Sequence, residues 1–299
     1  MNLPGAEQLR NRADAAIDLG RFEDGARLAM EAIAAAPTDP TAYGLLARAQ
    51  LGLGKAKDAE GTVRSALKLD PEREWFHRML AISLRLQKRY RDAEQAIAKA
   101  LEIAPEEGFA HMEVARLALA KKRYKPALEA IAKAIEHAPH LADVYEIKGD
   151  IFLERGDNKG AEAAYRDALR IQPEDARCLN NLGVALQRQR RIKEAAVAYK
   201  SAVLIDPKLK VAKTNTLAAV NQHLKAGIWV GGVGIYAGLR VITLLGPNQG
   251  LIALALTAVP IALIAWYIFG HKKRKQAELE AEDPQLMQIY EKLKADKHL

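Results

Sequence analysis

The sequence predicts an all-α protein, a six-unit helix-turn-helix solenoid followed by two transmembrane helices. Three observations carry that prediction. Pro37, Pro71, Pro105, Pro139, Pro173 and Pro207 stand 34 residues apart without a slip. Ala32, Ala66, Ala100, Ala134, Ala168 and Ala202 keep the same step, each lying five residues before one of those prolines. After the last repeat come two apolar runs, 228–245 and 251–269, whose only charge is Arg240.

Each unit reads as two helices closed by a proline-marked turn, because apolar residues recur at helical spacing on both sides of an internal turn. Two more series of small residues share the period. One is Gly25, Ala59, Ala93, Ala127, Ala161 and Ala195; the other is Ala13, Ala47, Ala81, Ala115, Gly149 and Gly183. Helices approach closely only where side chains are nearly absent, so these positions mark helix contacts. One such pair cannot bury its apolar face alone, and successive pairs must stack into a continuous core.

The pattern resembles the tetratricopeptide repeat family. The fifth unit carries Tyr145, Gly149, Phe152, Ala161, Tyr165, Ala168 and Pro173, and the sixth carries Leu182, Gly183, Leu186, Ala195, Tyr199, Ala202 and Pro207. Arg12 and Lys148 depart from it, standing where a core leucine is usual. The expected organisation is a repeat solenoid at 6–209, a capping or linker helix at 210–226, a transmembrane hairpin at 227–270, and at 271–299 a basic juxtamembrane segment with a short amphipathic tail helix.

The hairpin expectation rests on length and charge. The run 251–269 has no charge in 19 residues and would reach roughly 28 Å as a helix, close to a bilayer's hydrocarbon core. Lysines precede the first run, His271-Lys272-Lys273-Arg274-Lys275 follows the second, and the turn GPNQG between them is uncharged. Both flanks are therefore expected in the cytoplasm, making the chain an integral membrane protein with cytoplasmic repeats and C-terminus, in a bacterium at the inner membrane. Trp229, Trp266 and Tyr267 would anchor at the interface, and Pro260 would kink the second helix. Arg240 either snorkels towards the turn or meets a partner's span, and Gly234 with Gly238 permits close helix approach. In the tail, Asp283 can cap a helix opened by Pro284, with Leu286, Ile289, Tyr290 and Leu293 on one face.

No catalytic constellation is recognisable, so the chain is not expected to be an enzyme. No cofactor is expected either: the glycines from Gly231 to Gly238 lack the strand and lysine of a nucleotide loop. No metal is expected, since His77 and His111 share one repeat position without a third ligand. The single cysteine, Cys178, leaves no internal disulfide, and MNLPGAEQLR has no apolar run of a cleavable signal.

The family resemblance implies a groove lined by the first helix of each unit. Its candidates here are Arg48, Trp75, Arg78, Arg85, Phe109, Met112, Arg116 and Leu119, then an acidic set, Asp143, Glu146, Asp150 and Glu154, then Arg177, Asn180 and Arg188. Trp75 and Phe109 flanked by arginines are the residue types that dominate interface energies. Arg10 and Asp14 stand where a carboxylate clamp for chaperone tails would need lysine and asparagine, which disfavours that partner.

Charge divides the turns. The six windows inside the units, 19–24, 53–58, 87–92, 121–126, 155–160 and 189–194, carry −1, +1, +2, +4, +1 and +2, whereas the turns between units total −6. Lys88, Arg89, Lys121, Lys122, Arg123, Lys125, Arg190 and Arg191 are therefore candidates for contact with anionic lipid, and nucleic acid is disfavoured because aromatics are not interleaved. The expected function is a membrane-anchored scaffold that recruits protein or peptide partners through its groove. The alternative is a regulatory subunit or assembly factor of a membrane complex acting through its hairpin.

Overall fold

The computed structural model describes residues 5–225 and 270–295, divided into two compact units, 1–155 and 156–299. Unit 1 holds α1 (Ala6–Asp18), α2 (Phe22–Ala35), α3 (Pro40–Gly52), α4 (Ala56–Leu69), α5 (Glu74–Leu86), α6 (Tyr90–Ile103), α7 (Gly108–Ala120), α8 (Tyr124–His137) and α9 (Ala142–Arg155). Unit 2 holds α10 (Asn158–Ile171), α11 (Ala176–Arg188), α12 (Ile192–Ile205), α13 (Lys210–Lys225), a helical stretch at 270–282 and α14 (Pro284–Ala295).

The starts of the helices follow from their caps. Asp39 accepts from the Thr41 amide with Pro40 in the first turn, Glu107 accepts from Phe109, and Asp175 accepts from Arg177 and Cys178. The proline turns are stapled from the following helix. The Tyr43 hydroxyl donates to the Pro37 carbonyl at 3.1 Å, and Nε2 of His77 and His111 donates to Pro71 and Pro105 at 2.7 and 2.8 Å. A carbonyl only accepts, so both histidines carry their proton on Nε2. These are structural histidines.

The turns inside the units close in a second way. Gly20, Gly54 and Gly156 have φ of +72°, +72° and +88°, and their equivalents Lys88, Lys122 and Arg190 have +62°, +55° and +64°. The amide after the turn residue reaches back to the helix, as in Arg89 to the Leu84 carbonyl and Arg123 to the Ala118 carbonyl, both at 2.9 Å.

The alanine series form the floor of the packing. Ala13, Ala32, Ala47, Ala59, Ala66, Ala81, Ala93, Ala100, Ala115, Ala127 and Ala134 are fully buried in unit 1, as are Ala161, Ala195 and Ala202 in unit 2. Gly25 breaks its alanine series because a Cβ there would lie 2.5 Å from Ile17 Cγ1. Large side chains fill the space between, Phe76, Leu84, Ile131 and Ile151 in unit 1 and Tyr165, Tyr199 and Leu224 in unit 2. Burial pushes the Tyr199 phenol up to about 12, and its hydroxyl donates to Gln187 at 2.8 Å. In unit 1 each odd-numbered helix packs against the next odd-numbered one, while even-numbered helices pack only on odd ones. The odd helices therefore line the inner, concave side of that unit.

A repeated clasp ties second helices to the following turn. Glu60 of α4 accepts from Gln87 at 2.8 Å and from Arg89 at 2.9 Å, with Arg64 on its outer side at 2.9 Å. Three repeats later, Glu162 accepts from Gln189 at 2.9 Å, Arg191 at 2.6 Å and Arg166 at 3.0 Å. Between them, Glu94 accepts from Lys121 at 2.5 Å and pairs with Arg123 at 3.8 Å. Partial burial alone would raise the Glu60 and Glu162 carboxyls, but their donors outweigh it and hold both below the usual value.

The far end of unit 2 is closed by the tail. Leu286, Met287, Tyr290 and Leu293 of α14 are buried, with the helix packed on α12 and α13. Asp283 caps it through the Leu286 amide at 3.0 Å and accepts from Lys200 at 2.7 Å, and Tyr290 donates to Asn221 at 2.9 Å. Lys193 of α12 reaches Glu278 and Glu282 at 3.1 and 2.9 Å. The tail helix thus docks on α12 and α13.

Two expectations are corrected here. Among the described residues no helix is long and apolar enough to cross a membrane. The described residues thus form an all-α repeat array, and no described helix bears out the expected pair of transmembrane helices or the integral-membrane placement with cytoplasmic repeats and C-terminus. Among the described helices α13 is the longest, and its 16 residues reach only about 24 Å and carry Lys210, Lys213 and Lys225. The stretch 227–270 assigned to the hairpin, with Arg240, the glycine pair and Pro260, lies outside the described residues except for Gly270.

Candidate partner-binding groove

On the inner side of unit 1 the arginines cross from one odd helix to the next. Arg48 of α3 donates to Asp14 of α1 at 2.6 Å and also to Asp18. Arg10 of α1 pairs with Asp39 at 3.0 Å. Arg85 of α5 meets Glu113 of α7 at 2.5 and 3.2 Å, and Arg116 of α7 reaches Asp143 of α9 at 3.5 Å. Arg78 pairs with Glu74 at 2.9 Å and lies 5.2 Å over the Phe109 ring. Four of the arginines expected as partner anchors are therefore already neutralised by the groove itself.

Glu113 is the outlier. It is 1% exposed, in a column that reads Leu45, Met79, Glu113 and Ile147 in successive units. Burial pushes its carboxyl above the usual range despite Arg85, Arg116 and Arg78. Burial likewise raises Glu74 against the pull of Arg78. The Arg85–Glu113 pair was missed in the sequence, where the signal was a carboxylate interrupting an apolar column.

The aromatic candidates separate. Trp75 is half-buried, its ring laid where a Cβ on Gly44 would come within 2.5 Å, and 5.3 Å from the Phe76 ring. Phe109 is 44% exposed at the start of α7 with the Arg78 cation over it. Met112, by contrast, is 1% exposed in the core between α7 and α8 and α9, so it packs the array and is removed from the groove.

Further along, Leu119, Ala120 and Lys122 of α7's end face Asp150, Leu153 and Glu154 of α9 across a cleft of about 390 Å³. Asp143 and Glu154 are exposed, and Glu146 and Asp150 are half-buried on the same helix. In unit 2, Arg177 and Arg188 are exposed at the two ends of α11. Asn180 is 6% exposed and bridges α11 to α13 by accepting from Asn215 at 2.9 Å, so it too is a packing residue. A second, apolar cleft of about 300 Å³ lies among α10, α11 and α12, lined by Leu179, Leu182, Leu186 and Val197.

The basic edge is also divided. Arg89, Lys121, Arg123 and Arg191 serve the clasps, whereas Lys88, Lys122, Lys125 and Arg190 are exposed and form no ion pair among the described residues. No cluster of three or more possible metal ligands occurs among the described residues.

Comparison with known proteins agrees with this architecture. A family model described as a tetratricopeptide repeat-like domain matches residues 79–184, and two described as tetratricopeptide repeat match 16–82 and 176–209. A tetratricopeptide repeat protein from Parabacteroides merdae ATCC 43184 is similar with a TM-score of 0.61 and 19% identity, covering 72% of this chain and 84% of that one. The APC/C hetero-tetramer Cut9–Hcn1 is similar with a TM-score of 0.62 and 16% identity, covering 96% of this chain and 55% of that one. No curated relative matches the sequence. At these identities the structural likeness speaks for the fold alone, and with the three matched segments the conclusion is plain: the chain belongs to the tetratricopeptide repeat family.

Proposed function

We propose that the protein is a non-catalytic scaffold that binds an extended segment of a partner protein along the inner side of unit 1. The observation that carries the reading is Phe109, a large aromatic left 44% exposed on the groove side beneath the Arg78 guanidinium. Desolvating an aromatic with a stacked arginine is a common source of binding energy. Trp75 on one side and the cleft between α7 and α9 on the other extend the same face. Tetratricopeptide arrays are in general interaction scaffolds, which agrees with this use.

Selection of peptides from a displayed library on the full chain tests it, with Phe109→Ala and Leu119→Asp as counter-selections. Peptides whose affinity falls at least about tenfold on both variants support the groove, since an interface anchor contributes about 1.4 kcal/mol or more. Selected peptides that bind both variants as well as the parent place the binding site elsewhere and overturn the proposal, as does a selection that enriches nothing.

A further inference from the structure

The left-handed turn positions form an internal comparison. Six equivalent positions, one per repeat, all stand at the tip of the turn inside a unit; three are glycine and three are Lys88, Lys122 and Arg190. The left-handed region crowds Cβ against the backbone, so a lysine or arginine there is less stable than glycine in the same turn. The glycine solution is plainly available to this chain, because it uses it at Gly20, Gly54 and Gly156. Strain and charge coincide: the turns holding the three cations carry +2, +4 and +2, and the glycine turns carry −1, +1 and +1. Nothing inside the fold rewards the cations, since Lys88 and Lys122 are exposed and form no ion pair among the described residues. Their neighbours Arg91 and Lys125 are exposed in the same way.

We propose that Lys88, Arg91, Lys122 and Lys125 form a docking edge on unit 1 for an anionic lipid surface. Lys88 and Lys122 sit exposed at turn tips one repeat apart, Lys122 also bordering the α7–α9 cleft, so they suit a broad field of charge. Three of the four are lysines, which act as point charges and do not demand the bidentate geometry of an isolated carboxylate or phosphate. Nucleic acid fits less well, because Tyr90 and Tyr124 beside the tips are half-buried against the core and offer no stacking platform. Such a contact is peripheral and needs no span.

Vesicle flotation of the full chain tests the edge, comparing phosphatidylcholine alone with phosphatidylcholine containing about one third phosphatidylglycerol. The parent is expected to float with the anionic vesicles in excess of the neutral ones, and the excess to collapse between about 50 and 500 mM salt. The Lys88→Gly/Lys122→Gly variant is expected to lose at least about tenfold of that excess while its melting temperature rises. Equal flotation on both vesicles overturns the proposal, as does an unchanged anionic excess in the variant. A variant that melts lower than the parent removes the argument from strain. The groove peptides of the preceding section should bind the single variant Lys88→Gly, which lies outside the α7–α9 cleft, as they bind the parent, so the two readings fail separately.

Discussion

Glu113 shows how one residue can set the behaviour of an interface. Its carboxylate sits in an apolar column and is held by the Arg85 fork across two helices. Removing Arg85 would leave a buried charge without its partner, so Arg85→Ala is expected to cost about 3–5 kcal/mol at neutral pH in denaturant unfolding. The loss should shrink in acid, as Glu113 takes up a proton and the buried charge disappears. The sign for the parent follows from the raised carboxyl: its contribution to stability is whole below the ordinary value of 4.5 and is lost as pH rises through the higher folded value. Glu113→Gln should therefore flatten the fall in stability above 4.5, and an unchanged pH profile would show that Glu113 is not ionising inside the fold. Little of this was legible in the sequence. Trp75, Phe109 and the groove arginines could be placed on a face from the repeat alone, but whether a side chain meets solvent or a neighbour depends on the next unit's residue. Met112 looks like a groove anchor until α8 and α9 close over it.

Among elements, the carboxylates of the clasp behave in the opposite sense to Glu113. The Glu60 and Glu162 carboxyls are held low by their donors, so the stability they contribute is present above the ordinary value and is lost as pH falls through the lower folded one. Glu162→Ala is expected to cost about 1–2 kcal/mol near neutrality, the worth of charged hydrogen bonds at a half-covered site, and to weaken the parent's loss of stability in acid. Thermal melts at pH 3 and pH 7 read both effects; a variant with the parent's acid sensitivity would show that the clasp is ornamental. The helices themselves were legible, because a 34-residue period in alanines and prolines constrains packing far more tightly than helix propensity does. The clasps were not. Glu60, Glu94 and Glu162 look like ordinary charges on a wet helix face until their partners one turn further along are seen to share the period.

For the whole molecule, the ends of a repeat array are its weak points, since a terminal unit has a neighbour on one side only. Unit 2 meets this with α14, which lays Leu286, Met287, Tyr290 and Leu293 against the last helices. Leu286→Asp should therefore cost about 2–5 kcal/mol, and amide exchange in α12 and α13 should quicken while α1 to α9 keep their protection. Equal protection in both would mean that the tail is not part of the core. The apolar face of the tail could be read from Leu286, Ile289, Tyr290 and Leu293, but its docking site could not, because the partners Asn221 and Lys200 lie far back in the chain. The expected spans find no support among the described residues, where no helix has the length and apolarity to cross a membrane. The outer clasps and the inner pairs also have different consequences for rearrangement. Excise residues 74–107 and Glu60 would meet Lys121 and Arg123, the very partners Glu94 has now, so the outer layer would heal. Glu113 would instead face Leu51, the counterpart of Arg85 one repeat earlier, with no cation to meet it. Copies with their units shuffled would keep the period yet lose the pairing, so the order of the units is written on the inner face.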